Sequence, residues 1–116
     1  MRRNQRPSRW ADRLPARVFT VVEDSMRPTL SPGDVVFTVR DNGARVGQLR
    51  VFRHPHKSTR WLVKRVGEVY DGGVHGTVFE ARSDNARAPG ATDSHEFGWV
   101  PVAGSYRVVW TLSRER

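Results

Sequence analysis

Short runs of β-branched and aromatic residues, separated by turn-forming residues, are the feature of this sequence that most restricts its fold. Such runs favour β-strands, and helical periodicity is almost absent. The predicted strands cover residues 18–22, 35–39, 48–53, 60–70, 74–81 and 105–112. We therefore predict an all-β fold, a small barrel-like or folded antiparallel sheet with little helix.

Turn signals divide these runs. Segment 28–33 contains two prolines and a glycine, segment 41–43 reads Asp-Asn-Gly, and segment 71–73 reads Asp-Gly-Gly. The last two combinations are typical of tight hairpin turns. Residues 83–98 are polar, with Pro and Gly at their centre, and are predicted to form a loop.

The length of 116 residues fits one folded domain, which we place at 17–116. Residues 1–16 are basic and polar, and we predict a flexible N-terminal arm there. An apolar fraction of 37% excludes a wholly disordered chain. The net charge of +8 is compatible with a nucleic-acid binder, a membrane-surface protein or an enzyme for acidic or flexible substrates, and charge alone does not choose among them.

The chain has no cysteine, which excludes disulfides, thiolate metal sites and cysteine nucleophiles. No apolar run reaches the roughly 18 residues of a membrane span, and the amino terminus lacks the apolar region of a signal peptide. The expectation is a cytoplasmic protein without a transmembrane anchor, with peripheral membrane contact left open.

Ser25 is the residue that most suggests catalysis. It follows a predicted strand and precedes a turn made rigid by Pro28 and Pro32. A nucleophile needs such fixed geometry, because misplacement lowers the rate. Serine also needs a nearby base to remove its proton, and no His-Asp pair has the context of a triad.

Lys64 is the predicted base. If residues 60–70 form a strand, Leu62, Lys64 and Val66 share one face, and Lys64 lies among apolar side chains. Burial disfavours the ammonium form and lowers the lysine pKa from about 10.4 toward neutrality. The neighbouring Arg65 cannot lose its proton and is a poor base.

At this point the sequence resembles the type I signal peptidases and their relatives, which use a Ser/Lys dyad. The matching segments, in the family's order, are 25–30 (Ser-Met-Arg-Pro-Thr-Leu), 32–34 (Pro-Gly-Asp), 51–55 (Val-Phe-Arg-His-Pro), 63–67 (Val-Lys-Arg-Val-Gly), 83–85 (Ser-Asp-Asn) and 92–101 (Thr-Asp-Ser-His-Glu-Phe-Gly-Trp-Val-Pro). One such segment would be weak, but several in order, spread over nearly the whole folded part, are specific.

The sequence departs from the family's pattern just before the nucleophile. Glu23 and Asp24 stand before Ser25, where the family often has Gly or Ser two residues before the nucleophile. Two carboxylates disfavour a developing oxyanion unless they point away. We therefore assign the oxyanion hole mainly to the backbone N–H of Ser25, and place Met26 and Glu23 at the substrate-binding edge.

The supporting residues that the resemblance implies are Arg65, Asp84, Asn85, Asp93 and Ser94. The pair at 84–85 is interpreted as turn-forming. Arg65 and Asp93 are expected either to form an ion pair or to remain solvated. In relatives, a serine shortly before the loop aspartate orients the lysine. Counting back from Asp93, that position is Ala91 here, so Thr92 or Ser94 would have to substitute.

The segments 52–55 (Phe-Arg-His-Pro) and 62–65 (Leu-Val-Lys-Arg), with the short length and the absence of a transmembrane segment, make the chain similar to one branch of the family, the small peptidases that mature nickel-type superoxide dismutase. The resemblance implies a serine endopeptidase that removes an N-terminal propeptide from a precursor. It implies no cofactor and no metal, and no nucleic acid is expected as a partner. Processing of other secreted precursors remains an alternative, as does a non-catalytic basic binding module with a relic peptidase fold. Self-cleaving Ser/Lys repressors are disfavoured, because they normally carry a DNA-binding domain.

His54 and His56 form a His-x-His pair, which binds metal when a third ligand lies near. The two histidines flank Pro55, and a loop pair without metal is the favoured interpretation.

Overall fold

The computed structural model describes residues 15–114, and most of its regular secondary structure is β-strand. The strands are β1 (Ala16–Thr20), β2 (Val35–Arg40), β3 (Leu49–His54), β4 (Lys57–Asp71), β5 (Thr77–Arg82), β6 (Val100–Pro101) and β7 (Tyr106–Leu112). A 3₁₀ helix (Gly73–His75) and the short helix α1 (Ser94–Phe97) complete the described part. The predicted all-β fold with little helix is confirmed.

The strands form one antiparallel sheet in the order β1-β2-β7-β3-β4-β5-β6. The sheet is open, because β1 and β6 are its two edges and do not pair with each other. Of the two predicted forms, the folded sheet is therefore present and the closed barrel is not. β7 lies between β2 and β3, so the turn at 41–43 does not join neighbouring strands as a hairpin would.

Several predicted boundaries shift. β1 starts and ends two residues earlier than the predicted strand at 18–22, and β5 starts at Thr77 because the preceding residues form the 3₁₀ helix. β6 and α1 were not predicted, and α1 lies inside the loop predicted at 83–98. The predicted arm at 1–16 lies outside the described residues except for its last two, of which Ala16 already belongs to β1.

β4 is the central element for the site. Its first part, Lys57 to Arg65, pairs with β3, and its second part, Arg65 to Asp71, pairs with β5. Among residues 15–114, the segment 57–64 thus has a strand partner on one side only. Alternation along β4 buries Leu62, Lys64 and Val66 on the same face, as the period of two predicts.

Two hydrophobic clusters pack on the sheet. One consists of Phe52, Leu62, Val66, Phe79, Ala81, Phe97, Val100 and Val102. The other consists of Val21, Met26, Leu30, Val36, Val51 and Tyr106, with Trp61 and Phe19 packed against it. The second cluster holds the loop that follows β1, because Met26 and Leu30 are both 1% exposed within it.

Candidate active site

The loop between β1 and β2 presents Ser25. Two backbone hydrogen bonds join the start of this loop to its end: the Val21 N–H donates to the Asp34 carbonyl (2.8 Å), and the Gly33 N–H donates to the Val21 carbonyl (2.7 Å). The Ser25 carbonyl accepts the N–H of Asn85 at 2.8 Å, which ties the loop to the segment after β5. Ser25 is 3% exposed, so its side chain has a fixed position inside the protein.

Lys64 meets Ser25 across 39 residues of sequence. Its Nζ lies 2.8 Å from the Ser25 Oγ, and the lysine side chain is fully buried. Burial lowers the pKa of Lys64, since an ammonium ion loses hydration there that an amine does not need. The charges of Glu23 and Asp93 oppose this effect, and that of Arg60 adds to it. The net direction is downward, which favours the neutral amine that a general base requires.

Ser83 is a third member of the cluster, and sequence reasoning missed its role. Its Oγ lies 2.9 Å from the Nζ of Lys64. A neutral amine has two N–H donors and one lone pair, so it can donate to Ser83 while it accepts the proton of Ser25. Neither predicted substitute does this: Ser94 accepts the N–H of Ala81 at 2.8 Å instead. The signal was present as the first residue of the matched segment 83–85, just after a strand.

If Ser25 and Lys64 act as a catalytic dyad, removing the Ser83 hydroxyl is expected to slow the reaction without abolishing it. In Ser83→Ala the Lys64 amine keeps its burial but loses one of the two contacts that fix its direction. We expect roughly a 10- to 100-fold loss in kcat with little change in KM, because substrate contacts are unaffected. Ser83→Thr, which keeps the hydroxyl, is the rescue variant. A loss of the same size in both variants would contradict an orienting role.

Asp93 positions Ser83 through a hydrogen bond to its backbone. Its carboxylate accepts the N–H of Ser83 at 3.3 Å and the N–H of His95 at 2.9 Å, and so caps α1. Asp93 is 8% exposed, so it is not the solvated loop residue that was one of the two expectations. It does not pair with Arg65 either, which was the other. The residue acts on Lys64 through the position of Ser83 and through its charge.

Arg65 pairs with Asp84. Its guanidinium donates to both carboxylate oxygens, at 2.9 and 2.7 Å, and Thr29 donates to the same carboxylate at 2.7 Å. The pair raises the pKa of Arg65, and the same bonds lower that of Asp84 against the effect of burial. The contacts join the Ser25 loop, β4 and the segment after β5, so Asp84 clamps the three parts of the site rather than forming only a turn.

The two acidic residues before Ser25 are both held by arginines. Glu23 forms an ion pair with Arg60, and Asp24 forms one with Arg27 at 2.5 Å. Their charges are thus partly neutralised, which removes the main objection to an oxyanion beside them. Within residues 15–114 the backbone N–H of Ser25 has no hydrogen-bond acceptor, as a donor kept for an oxyanion requires.

A small cleft opens beside Ser25. It has a volume of about 50 Å³, and its wall includes Met26, Val36, Val51 and Leu62, with Glu23 at the edge. Its mostly apolar lining suits an aliphatic side chain. Glu23 and Met26 both line this cleft, and Met26 is 1% exposed because it also belongs to the second hydrophobic cluster. Their predicted role in substrate binding stays a prediction.

His54 and His56 lie at the turn from β3 to β4 and contact each other. The backbone N–H of His56 donates to the Nδ1 of His54 at 3.0 Å, which occupies one of the two ring nitrogens of His54. In the part of the chain that the structure describes, no group of three His, Cys, Asp or Glu side chains is placed to hold a metal ion.

Comparisons with protein-family models, with curated proteins and with solved structures found no match for this chain. Among the described residues, no helix has the length and hydrophobicity that a membrane span requires.

Proposed function

We propose that this chain is a serine endopeptidase in which Ser25 is the nucleophile and Lys64 the general base. The observation that carries the proposal is the 2.8 Å contact between the Nζ of a fully buried lysine and the Oγ of a buried serine. A structural lysine gains nothing from such burial, because its charge is costly there. A catalytic lysine needs it, because only the neutral amine accepts a proton.

The chemistry follows the usual course of acyl transfer. Lys64 takes the Ser25 proton as Oγ attacks the scissile carbonyl, and the Ser25 N–H stabilises the oxyanion. The ammonium formed on Lys64 is balanced by Glu23 and Asp93, then gives its proton to the leaving amine. Lys64 next accepts a proton from the water that attacks the acyl carbonyl, and it returns this proton to the Ser25 Oγ as the acyl–oxygen bond breaks. The acid product leaves, and the Ser25 hydroxyl and the neutral Lys64 amine are regenerated.

The substrate is proposed to bind as an extended strand. Residues 57–64 of β4 have one edge without a strand partner, next to the cleft at Ser25. Backbone pairing along such an edge supplies affinity, and the apolar cleft suits aliphatic side chains before the cut. We further propose that the substrate is a precursor with an N-terminal propeptide or leader, specifically that of nickel-type superoxide dismutase, and that the enzyme acts in the cytoplasm.

Cleavage of a purified nickel superoxide dismutase precursor, followed by mass spectrometry, tests the proposal. Wild type should make one cut near the amino terminus, and Ser25→Ala should reduce the rate by at least about 1000-fold. Ser31→Ala, which changes a serine of the same loop, is the matched control and should retain activity. No cut by wild type would overturn the dismutase substrate and direct the search to other secreted precursors. A cut that survives Ser25→Ala would overturn the assignment of Ser25 as the nucleophile.

A further inference from the structure

The half of the sheet formed by β1, β2 and β7 carries apolar side chains on its outer side. Strand pairing places Phe37 of β2 between Val18 of β1 and Trp110 of β7. In the next row, Val35 pairs with Leu112. Val18, Trp110 and Leu112 are 58%, 65% and 55% exposed, and the two β2 residues are half-buried. Directly paired residues point to the same side of an antiparallel sheet, so these five side chains form one surface, here called the apolar face.

The opposite side of the same strands is already packed. Phe19, Val36 and Tyr106 alternate with the residues of the apolar face and belong to the second hydrophobic cluster or pack against it. A sheet with one packed side normally presents polar residues to water on the other. β1, β2 and β7 contain no Asp or Glu at all. An exposed apolar surface of this kind indicates an interaction site.

Positive charge adjoins the apolar face along the chain. The segment 1–14 contains a single acidic residue and five arginines, which are Arg2, Arg3, Arg6, Arg9 and Arg13. It is joined through Pro15 to Ala16, the first residue of β1, so its charges stay within reach of the face. The whole chain has a net charge of +8. A partner for this side of the protein is therefore expected to be anionic.

A second copy of the chain fits the apolar face poorly. Three strands about 4.8 Å apart, with five residues each at about 3.3 Å per residue, cover roughly 240 Å². A stable protein interface buries about 800 Å² on each partner. Two copies would also bring the same positive charge to the contact, which opposes association.

We propose that the apolar face binds the surface of a membrane that contains anionic lipid. Trp110 and Leu112 would enter the boundary between headgroups and acyl chains, where tryptophan is favoured, and the arginines of segment 1–14 would contact the headgroups. A bilayer needs no complementary shape, so a small apolar surface combined with basic residues is enough for reversible binding. The inference goes beyond the proposed function and does not depend on Ser25 or Lys64.

Vesicle co-sedimentation with the full-length chain tests the proposal. The vesicles contain phosphatidylcholine alone or phosphatidylcholine mixed with about 30% phosphatidylserine. The face variant is Trp110→Thr with Leu112→Thr, because threonine keeps the β propensity and removes most of the apolar surface. The control is Trp99→Thr with Val74→Thr, which removes a tryptophan and an aliphatic side chain that are 48% and 97% exposed outside the apolar face.

Wild type should bind the mixed vesicles at least about 10-fold more tightly than phosphatidylcholine alone, and the face variant should lose at least about 10-fold. The control should stay within about 2-fold of wild type. Equal losses in both variants, or equal binding of wild type to the two kinds of vesicle, would overturn the proposal. A wild type that ignores vesicles and dimerises in sedimentation velocity, while the face variant is monomeric, would assign the face to a second copy instead.

Tryptophan fluorescence locates the contact with conservative substitutions. The parent protein for the spectra carries Trp10→Phe, because Trp10 belongs to the arginine-rich segment. Its emission should shift to the blue on addition of mixed vesicles, since Trp110 leaves water. Adding Trp110→Phe should preserve binding and remove most of the shift, whereas Trp99→Phe should preserve both. A shift that persists in Trp110→Phe would place the contact elsewhere and overturn the assigned face.

Discussion

Lys64→Met is expected to abolish cleavage while leaving the fold at least as stable as the wild type at neutral pH. Methionine fills the same buried volume without a group that accepts a proton, so the loss in kcat/KM should be at least about 1000-fold. The fold gains because the cost of a buried lysine disappears. The loss of contacts to Ser25 and Ser83 offsets part of that gain.

The stability that Lys64→Met gains over the wild type should decrease as the pH rises. The pKa of Lys64 is lowered by burial in the folded state, whereas the unfolded value stays near 10.5. Between these two values the unfolded state binds more protons, so wild-type stability rises with pH. The advantage of Lys64→Met should therefore shrink as pH rises toward about 10. Urea denaturation from neutral to alkaline pH measures the difference.

The chain offers a matched control for this prediction. Lys57 and Lys64 are its two lysines, and Lys57 is exposed. Lys57→Met should keep activity. Carbon-13 labelling of lysine then leaves one lysine signal in Lys57→Met, and its titration midpoint should lie below 10.5 and coincide with the acid limb of kcat/KM. A Lys64 that titrates at or above its ordinary value would contradict the assigned base.

Asp41→Ala is expected to produce a large loss of stability. The Asp41 carboxylate binds Arg50 at 2.5 Å and Arg107 at 2.6 Å, and Arg50 is fully buried. Without Asp41, Arg50 would keep its bond to the Ser105 hydroxyl but would lose its counter-charge. Breaking a buried pair costs 3–5 kcal/mol, and we expect about 3 because Asp41 is partly exposed. For a domain of this size the loss lowers Tm by roughly 12 °C or more.

Asp71→Ala is the control that distinguishes the loss of the ion pair from the loss of the turn hydrogen bond. Asp71 also precedes a glycine turn and accepts the N–H of Gly73 at 3.0 Å, as Asp41 accepts that of Gly43 at 3.2 Å. Asp71 has no such bond to an arginine among the described contacts, so Asp71→Ala should lower the free energy of unfolding much less than Asp41→Ala does. Thermal denaturation compares the two, and equal losses would contradict the role given to Arg50.

The stability difference between wild type and Asp41→Ala should become smaller at acidic pH. Burial acts to raise the pKa of Asp41, but its bonds and charge contacts with Arg107 and Arg50 outweigh burial and lower it. A carboxylate with a lowered pKa adds stability above its ordinary value of 3.8, and that stability is lost as pH falls through the folded value. The difference between wild type and Asp41→Ala should therefore decrease below about pH 4.

Local patterns explain which parts of the fold and site were predictable. Strand positions were close for β2, β3, β4 and β7, because the period of two and the turn residues are local signals. The same period placed Lys64 on the buried face beside Leu62 and Val66. Two short elements, β6 and α1, were missed because segments of two and four residues are too short to have a period.

Long-range partners were not predictable in the same way. Arg65 was expected beside Asp93 and pairs with Asp84, and Ser83 takes the position that was expected for Thr92 or Ser94. These choices differ by only a few residues along a loop. A loop's path depends on what it packs against, and no local pattern records that path.

By itself, the sequence determined most of the strands and the buried face of β4, since each rests on residue types at fixed local spacing. The choice of Ser25 and Lys64 came from their local context together with the family resemblance, and it stays a prediction. Only the tertiary structure decided that β7 enters between β2 and β3, that Asp41 neutralises Arg50, and that Val18, Phe37 and Trp110 share one exposed face. Those contacts join residues distant in sequence. Many strand orders satisfy the same local pattern, and only the packing of the whole sheet selects one of them.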